Sequence, residues 1–153
     1  MLMLIGCGNK TDQICGIYEG NIPNLTCCRE FERIELKRNK EIKCLGYGNC
    51  HSNSGKMFLE VINFGKWKLK NDKINIIMDS SYLFDEHNNT KILNRQYQDS
   101  LYLTDILGSL SDSLTVARIF NKDKMQRYRK LNQQEILKSD SILAGNRLAR
   151  PCP

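Results

Sequence analysis

The chain has 153 residues, of which 41% are hydrophobic and 26% are charged, and this balance excludes a wholly disordered protein. No run of residues approaches the roughly 18 apolar residues that a membrane-spanning helix needs. The formal net charge is +6, and the excess lies in residues 118–153, which contain nine Lys and Arg but only three Asp and Glu.

The N-terminal stretch Leu4–Ile5–Gly6–Cys7 resembles the lipobox of bacterial lipoproteins. In that family the cysteine thiol receives a lipid, and the mature chain begins at that cysteine. The residues that follow are polar, as the tether of such proteins usually is. The resemblance predicts a signal-peptide remnant at 1–6, a polar tether at 7–13 and a lipid on Cys7. The alternative is an apolar N-terminal strand with a buried cysteine.

The chain has seven cysteines, and six remain if Cys7 carries lipid. Six thiols in an oxidising periplasm can form up to three disulfides, and sequence does not choose among the pairings. The candidates are Cys15, Cys27, Cys28, Cys44, Cys50 and Cys152. The alternative is a reducing compartment with mostly buried thiols. His51 follows Cys50 directly, but the spacing fits neither a zinc finger nor a haem-attachment motif, so no metal site is predicted.

The first strand is predicted near Cys15–Gly20, and a hairpin follows it. Apolar residues alternate with charged ones on both sides of Arg38–Asn39–Lys40. A three-residue loop there gives facing pairs that share one side of the sheet. These pairs are Leu36 with Ile42 and Ile34 with Cys44.

The clearest hairpin is predicted around Asn71–Asp72. A two-residue loop there places four apolar residues on one face, as Trp67 with Ile76 and Leu69 with Ile74. The preceding segment 46–55 is rich in Gly, Asn and Ser and is predicted to be a loop.

Later strand signals lie at 82–84, 101–103, 114–120 and 126–131, and a short helix is predicted from Gln133 to Ser139. Short strands separated by turns favour a mainly β fold, with an antiparallel meander closed or half-closed as a barrel. Residues 14–131 form the predicted β domain, and 132–153 form a basic C-terminal extension.

Three segments resemble the small lipocalin-like lipoprotein domains of the Gram-negative envelope. They are GIYEG at 16–20, ERIELKRNKEIKC at 32–44 and GKWKLKNDKINIIMD at 65–79. The resemblance covers residues 16–79. It implies a barrel, and no catalytic residue is carried over with it.

These observations predict a non-enzymatic envelope lipoprotein, held to the membrane by its lipid and facing the periplasm or the cell surface. Its barrel is expected to bind a small or apolar ligand, with no cofactor. Only two histidines occur, His51 and His87, and no residue pattern marks either as catalytic. The sequence does not determine the ligand or the oligomeric state.

The alternative function is an interaction module that binds an anionic partner through the basic residues of 118–153. Aromatic side chains that stack on bases are sparse there, with only Phe120 and Tyr128, which argues against nucleic acid. A solvated basic tail without a partner is the other interpretation of these residues. A hydrolase whose site the sequence does not reveal is the third hypothesis for the function.

Overall fold

The computed structural model describes residues 10–21, 31–52, 55–84, 90–93, 96–104, 114–121 and 124–148. Strands dominate this part of the chain, and a helix stands at each end of it. In chain order the elements are α1 (Lys10–Ile14), β1 (Gly16–Asn21), β2 (Phe31–Leu36), β3 (Glu41–Ser52), β4 (Gly55–Lys70), β5 (Lys73–Phe84), β6 (Thr90–Leu93), β7 (Tyr97–Thr104), β8 (Thr115–Asn121), β9 (Lys124–Lys130) and α2 (Gln133–Leu148).

Eight strands close an antiparallel barrel in the order β1-β2-β3-β4-β5-β7-β8-β9, and β9 pairs back with β1. β5 pairs with β7 over 73–78 and with the short β6 over 81–84. The predicted mainly β barrel with a C-terminal helix is therefore confirmed. The helix is longer than expected, because it continues past Ser139 to Leu148.

Both predicted hairpins are confirmed in register. Leu36 faces Ile42 and Ile34 faces Cys44, while Trp67 faces Ile76 and Leu69 faces Ile74. Each turn contains one residue in the left-handed region, Lys40 (φ 69°) and Asn71 (φ 56°). The inward residues of these strands form the core: Ile34, Leu36, Ile42, Cys44, Trp67, Ile74 and Ile76 are each at most 2% exposed.

The predicted loop at 46–55 is wrong, because most of that segment belongs to β3 and β4. β3 continues to Ser52, and the chain returns in β4 from Gly55. The two strands pair without interruption from Glu41 opposite Lys66 to Ser52 opposite Gly55. A continuous ladder satisfies the backbone amides and carbonyls, and this outweighs the weak strand preference of Gly, Asn and Ser.

The short helix α1 covers one end of the barrel, and its residues 10–13 belong to the segment predicted to be a tether. Ile14 is 1% exposed and belongs to the core cluster. Lys10 Nζ lies 2.5 Å from an Asp72 carboxylate oxygen at the β4–β5 turn, and Lys40 Nζ lies 3.3 Å from Thr11 Oγ1 at the β2–β3 turn. The residues from Lys10 onward therefore contribute to the fold.

The helix α2 starts at a reciprocal cap and packs on the outside of the barrel. Asn132 Oδ1 accepts from the Glu135 amide (2.9 Å), and a Glu135 carboxylate oxygen accepts from the Asn132 amide (2.8 Å). Arg33 on β2 forms an ion pair with Asp140 (2.5 Å), and the Ser139 hydroxyl donates to Glu19 on β1. These contacts fix the predicted extension against β1 and β2.

Candidate ligand site inside the barrel

The interior of the barrel is divided into an apolar half next to α1 and a half with polar side chains. Near α1 the inward residues are Ile, Leu, Trp, Val and Tyr, packed to near-zero exposure. Farther along the same strands the inward positions hold polar or charged residues that are 7% exposed or less. These are Glu32, Asn63, Ser81, Arg118 and Gln126. A barrel filled only for stability needs no such residues, so the polar half is the candidate site.

The centre of the polar half is Arg118, on β8. Its Nη1 donates to Glu32 Oε2 at 2.6 Å and to the Tyr128 hydroxyl at 3.1 Å, and Tyr128 donates to the same Glu32 oxygen at 2.6 Å. The Nε of Arg118 lies 2.8 Å from a carboxylate oxygen of Asp99. We call Arg118, Glu32, Asp99 and Tyr128 the ion cluster. Its members come from four strands, so it joins one side of the barrel to the other across the interior.

Gly20 on β1 leaves the space through which the ion cluster forms. It pairs with Glu32 in the β1–β2 ladder. A Cβ at Gly20 would lie 2.4 Å from the Arg127 carbonyl oxygen, 2.8 Å from Gln126 Nε2 and 3.0 Å from the Tyr128 ring. Any larger residue would push β1 away from β9. Because β1 lies between β2 and β9, this movement would increase the distance between Glu32 and Tyr128.

The protonation states of the ion cluster are fixed by its surroundings. Burial alone lowers the pKa of Arg118, but Glu32, Tyr128 and Asp99 outweigh this effect and raise the pKa above its usual value. Burial raises the pKa of the Tyr128 phenol, and the neighbouring Glu32 carboxylate raises it further. At physiological pH the cluster therefore contains a guanidinium and a protonated phenol, both of which donate to Glu32.

Asp99 is the member of the ion cluster that solvent reaches. Its side chain is 24% exposed, against 3% for Glu32 and 9% for Arg118. One carboxylate oxygen accepts from the Ser100 amide at 2.7 Å, and the other contacts Arg118. Two carboxylates and one guanidinium leave a formal charge of −1 on the cluster. A ligand that donates hydrogen bonds or carries positive charge fits Asp99 best.

A second polar pair, Asn63 on β4 and Ser81 on β5, lies in the same half of the barrel. The Ser81 hydroxyl donates to Asn63 Oδ1 at 2.5 Å, and both residues are 5% exposed. A β-bulge separates this pair from the regular hairpin below it, between Phe64 and Gly65. At Gly65 a Cβ would lie 2.1 Å from the Ile77 carbonyl oxygen, so the bulge requires glycine.

The alternation of residues along β2 and β8 already contains a signal for the ion cluster. Glu32 is in phase with Ile34 and Leu36, and Arg118 is in phase with Val116, so each charge occupies an inward position of its strand. A charged residue in phase with a buried apolar series predicts a buried ion pair when a partner of opposite sign exists elsewhere.

Of the cysteines that were predicted to be functional, the structure describes the side chains of two. Cys44 lies 1% exposed in the barrel interior, and Cys15 lies beside α1 with its Sγ donating to the Thr11 carbonyl at 3.2 Å. Neither forms a disulfide in this structure, which agrees with the alternative of buried thiols for these two residues. Cys44 faces Ile34 within the core, and Cys15 is held by its own helix. Burial raises the pKa of Cys15, which keeps it a thiol.

The remaining candidates lie outside the described residues or have undescribed side chains. Cys7, Cys27, Cys28, Cys152 and His87 are in the first group, and Cys50 and His51, on β3, are in the second. Within the described part of the chain, no group of three or more His, Cys, Asp or Glu residues has the arrangement of a metal site.

The basic residues of 118–153 are less available than their number indicates. Arg118 lies in the ion cluster, and Arg129 forms an ion pair with Glu135 at 2.9 Å. Lys130 Nζ donates to the Gln13 carbonyl at 2.6 Å, and burial lowers its pKa. Among the described residues of this segment, three basic side chains are thus engaged within the fold, and two of them are paired with carboxylates.

No family model, curated protein or solved structure matches this chain. In the part of the chain that the structure describes, no helix has the length and apolar character to cross a membrane.

Proposed function

We propose that this chain is a non-enzymatic, lipid-anchored protein of the bacterial envelope whose barrel binds a small ligand. The observation that carries the proposal is the ion cluster, which occupies the barrel half away from α1. A buried charge cluster costs desolvation free energy, and hydrophobic residues of similar size would often be at least as stable. Its presence in a barrel closed at one end by α1 supports a role in recognition.

The ligand is expected to have an apolar body and a polar group that donates hydrogen bonds or is cationic. The polar group fits Asp99, the exposed acceptor of the cluster. The apolar residues of the interior are packed against one another, so the apolar body would lie outside that packed half. The lipid on Cys7 would hold the barrel by its α1 end, because α1 begins three residues after that cysteine.

Ligand binding is tested by native mass spectrometry of the full chain purified from its host. We expect a co-purifying small molecule on the wild-type protein and a clear loss of it in Asp99→Asn. Asp79→Asn, an exposed acid on β5, is the matched control and should retain the ligand. Circular dichroism checks that both variants are folded. If the two variants retained the same amount of ligand, the ion cluster would not be part of the binding site.

The anchor is tested separately by mass spectrometry of the mature N-terminus from the membrane fraction. The proposal expects a chain that begins at Cys7 with a diacylglycerol mass on that residue. A Cys7→Ser variant should lack this mass and leave the membrane fraction. An unmodified Met1 terminus in a soluble fraction of the host would contradict the proposal.

A further inference from the structure

The outer face of β4 and β5 carries a row of lysines. Lys66, Lys68 and Lys70 are exposed on β4, and Lys73 on β5 faces Lys70 in the ladder. Lys73 Nζ lies 5.7 Å from the centre of the Tyr102 ring on β7. Among the described residues, none of these four lysines lies within ion-pair distance of a carboxylate, although Lys66 faces Glu41 across the β3–β4 ladder and helps to lower the pKa of Glu41.

Exposed apolar side chains lie beside this row on the same outer face. Ile77 on β5 is 50% exposed and Ile119 on β8 is 52% exposed. Both line one shallow depression of about 550 Å³, together with Lys73 and Tyr102. Met125 on β9, opposite Ile119, is 44% exposed. Clustered exposed apolar residues with a charged border are typical of an interaction surface.

The acidic residues near this face only partly offset its charge, although Asp99 of the ion cluster lines the same depression as Lys73 and the two isoleucines. Glu41 lies 3.6 Å from Lys37, and Asp72 lies 2.5 Å from Lys10, so each is already paired at the α1 end of the barrel. Asp79 is exposed farther along β5. The outer face of β4, β5, β7 and β8 therefore combines excess positive charge with projecting isoleucines. We call it the lysine face.

We propose that the lysine face docks on an anionic lipid surface. Ammonium groups on one side of a barrel can contact lipid phosphates while isoleucines enter the boundary between headgroups and acyl chains. A nucleic acid would use the lysines but gains little from exposed isoleucines. Lys70 and Lys73 also flank the turn whose Asp72 contacts Lys10 of α1, so the face begins at the barrel end nearest Cys7. The inference does not require acylation of Cys7.

The test is co-sedimentation of the full chain with vesicles, using Cys7→Ser so that no anchor contributes. Vesicles of phosphatidylcholine alone are compared with vesicles that also contain phosphatidylglycerol. Binding is expected only to the anionic vesicles and should weaken as salt is added. Lys68→Glu should weaken binding about fivefold or more, because one lysine near an anionic surface contributes roughly this factor.

Two matched controls on α2 distinguish binding through the lysine face from an effect of net charge and from nonspecific hydrophobic binding. Lys138→Glu changes the net charge equally at an exposed position of α2 and should leave binding nearly unchanged. Ile77→Ser with Ile119→Ser should weaken binding, whereas Leu137→Ser with Ile142→Ser on α2 should not; the two α2 side chains are 62% and 52% exposed. Circular dichroism confirms that each variant is folded.

Three outcomes would overturn the proposal. These are equal binding to neutral vesicles, equal effects of Lys68→Glu and Lys138→Glu, and retention on DNA without binding to vesicles. Asp99→Asn removes an acidic side chain from the same depression, so it should bind anionic vesicles at least as well as the parent protein while it loses the ligand. A failure of the ligand-binding proposal is therefore distinguishable from a failure of this one.

Discussion

Arg118 and Glu32 lie 2.6 Å apart inside the barrel although their strands, β8 and β2, are separated by β9 and β1. The contact therefore spans the interior instead of following a ladder. It joins residues 86 positions apart in sequence. Gly20 on β1 adds no side chain on the β9 side, where a Cβ would lie 3.0 Å from the Tyr128 ring of the same cluster.

Removing one charged partner of the ion cluster while the other stays buried should strongly destabilise the barrel. Arg118→Met leaves the Glu32 carboxylate buried without its guanidinium, and we expect a loss of about 3–5 kcal/mol in the free energy of unfolding. Adding Glu32→Gln should recover much of that loss, because the amide still accepts from Tyr128 and carries no charge. Urea denaturation of the two single variants and the double variant measures the coupling. Additive effects would show that the pair is not an energetic unit.

Gly20→Ala should cost about 1–3 kcal/mol through steric overlap alone. The nearest atom to the added methyl is the Arg127 backbone oxygen at 2.4 Å, and a backbone atom yields less than a side chain does. Gln126→Ala in the same chain removes the second contact but not the first. The double variant should therefore regain little stability in urea denaturation. If the double variant regained the full stability, the added methyl would clash with Gln126 and not with the Arg127 backbone.

The sequence predicts the two hairpins well because their information is local. The alternation of Ile34 and Leu36 with charged residues, and the Asn71–Asp72 turn, each determine a register with no reference to distant residues. The ion cluster depends on which strands close the barrel, and that closure brings together β2, β7, β8 and β9. Neither Arg118 nor Glu32 identifies its partner in the linear sequence. The extension of β3 through a glycine-rich segment was missed for the same reason, since its support comes from β4.

Ile14 tests whether α1 is part of the fold or of a tether. Its side chain is 1% exposed in the core, and the Tyr18 hydroxyl donates to its carbonyl at 2.6 Å. Ile14→Ala should lower the free energy of unfolding by about 2–5 kcal/mol, as for other buried aliphatic residues. Leu137→Ala on the exposed side of α2 is the control and should change it little. A neutral Ile14→Ala would return residues 10–14 to the tether.

The stabilisation that Glu135 gives to α2 should be lost as the pH falls into the acid range. Hydrogen bonds from Arg129 and from the Asn132 amide lower the pKa of Glu135 below its ordinary value of 4.5. Because the folded-state pKa is depressed, the stabilisation is present above the unfolded-state value and is lost as the pH falls through the folded-state pKa. The difference in free energy of unfolding between wild type and Glu135→Gln should therefore be largest near neutral pH and shrink in acid.

Asn132→Ala is the matched variant for this pH dependence. It removes the side-chain cap and should cost about 1 kcal/mol. It keeps the backbone amide of residue 132 and the ion pair between Arg129 and Glu135, so the acid-dependent loss of stability should persist. Urea denaturation from neutral pH down to below the ordinary glutamate pKa distinguishes the two variants. The assignment to Glu135 fails if Glu135→Gln retains the wild-type acid dependence.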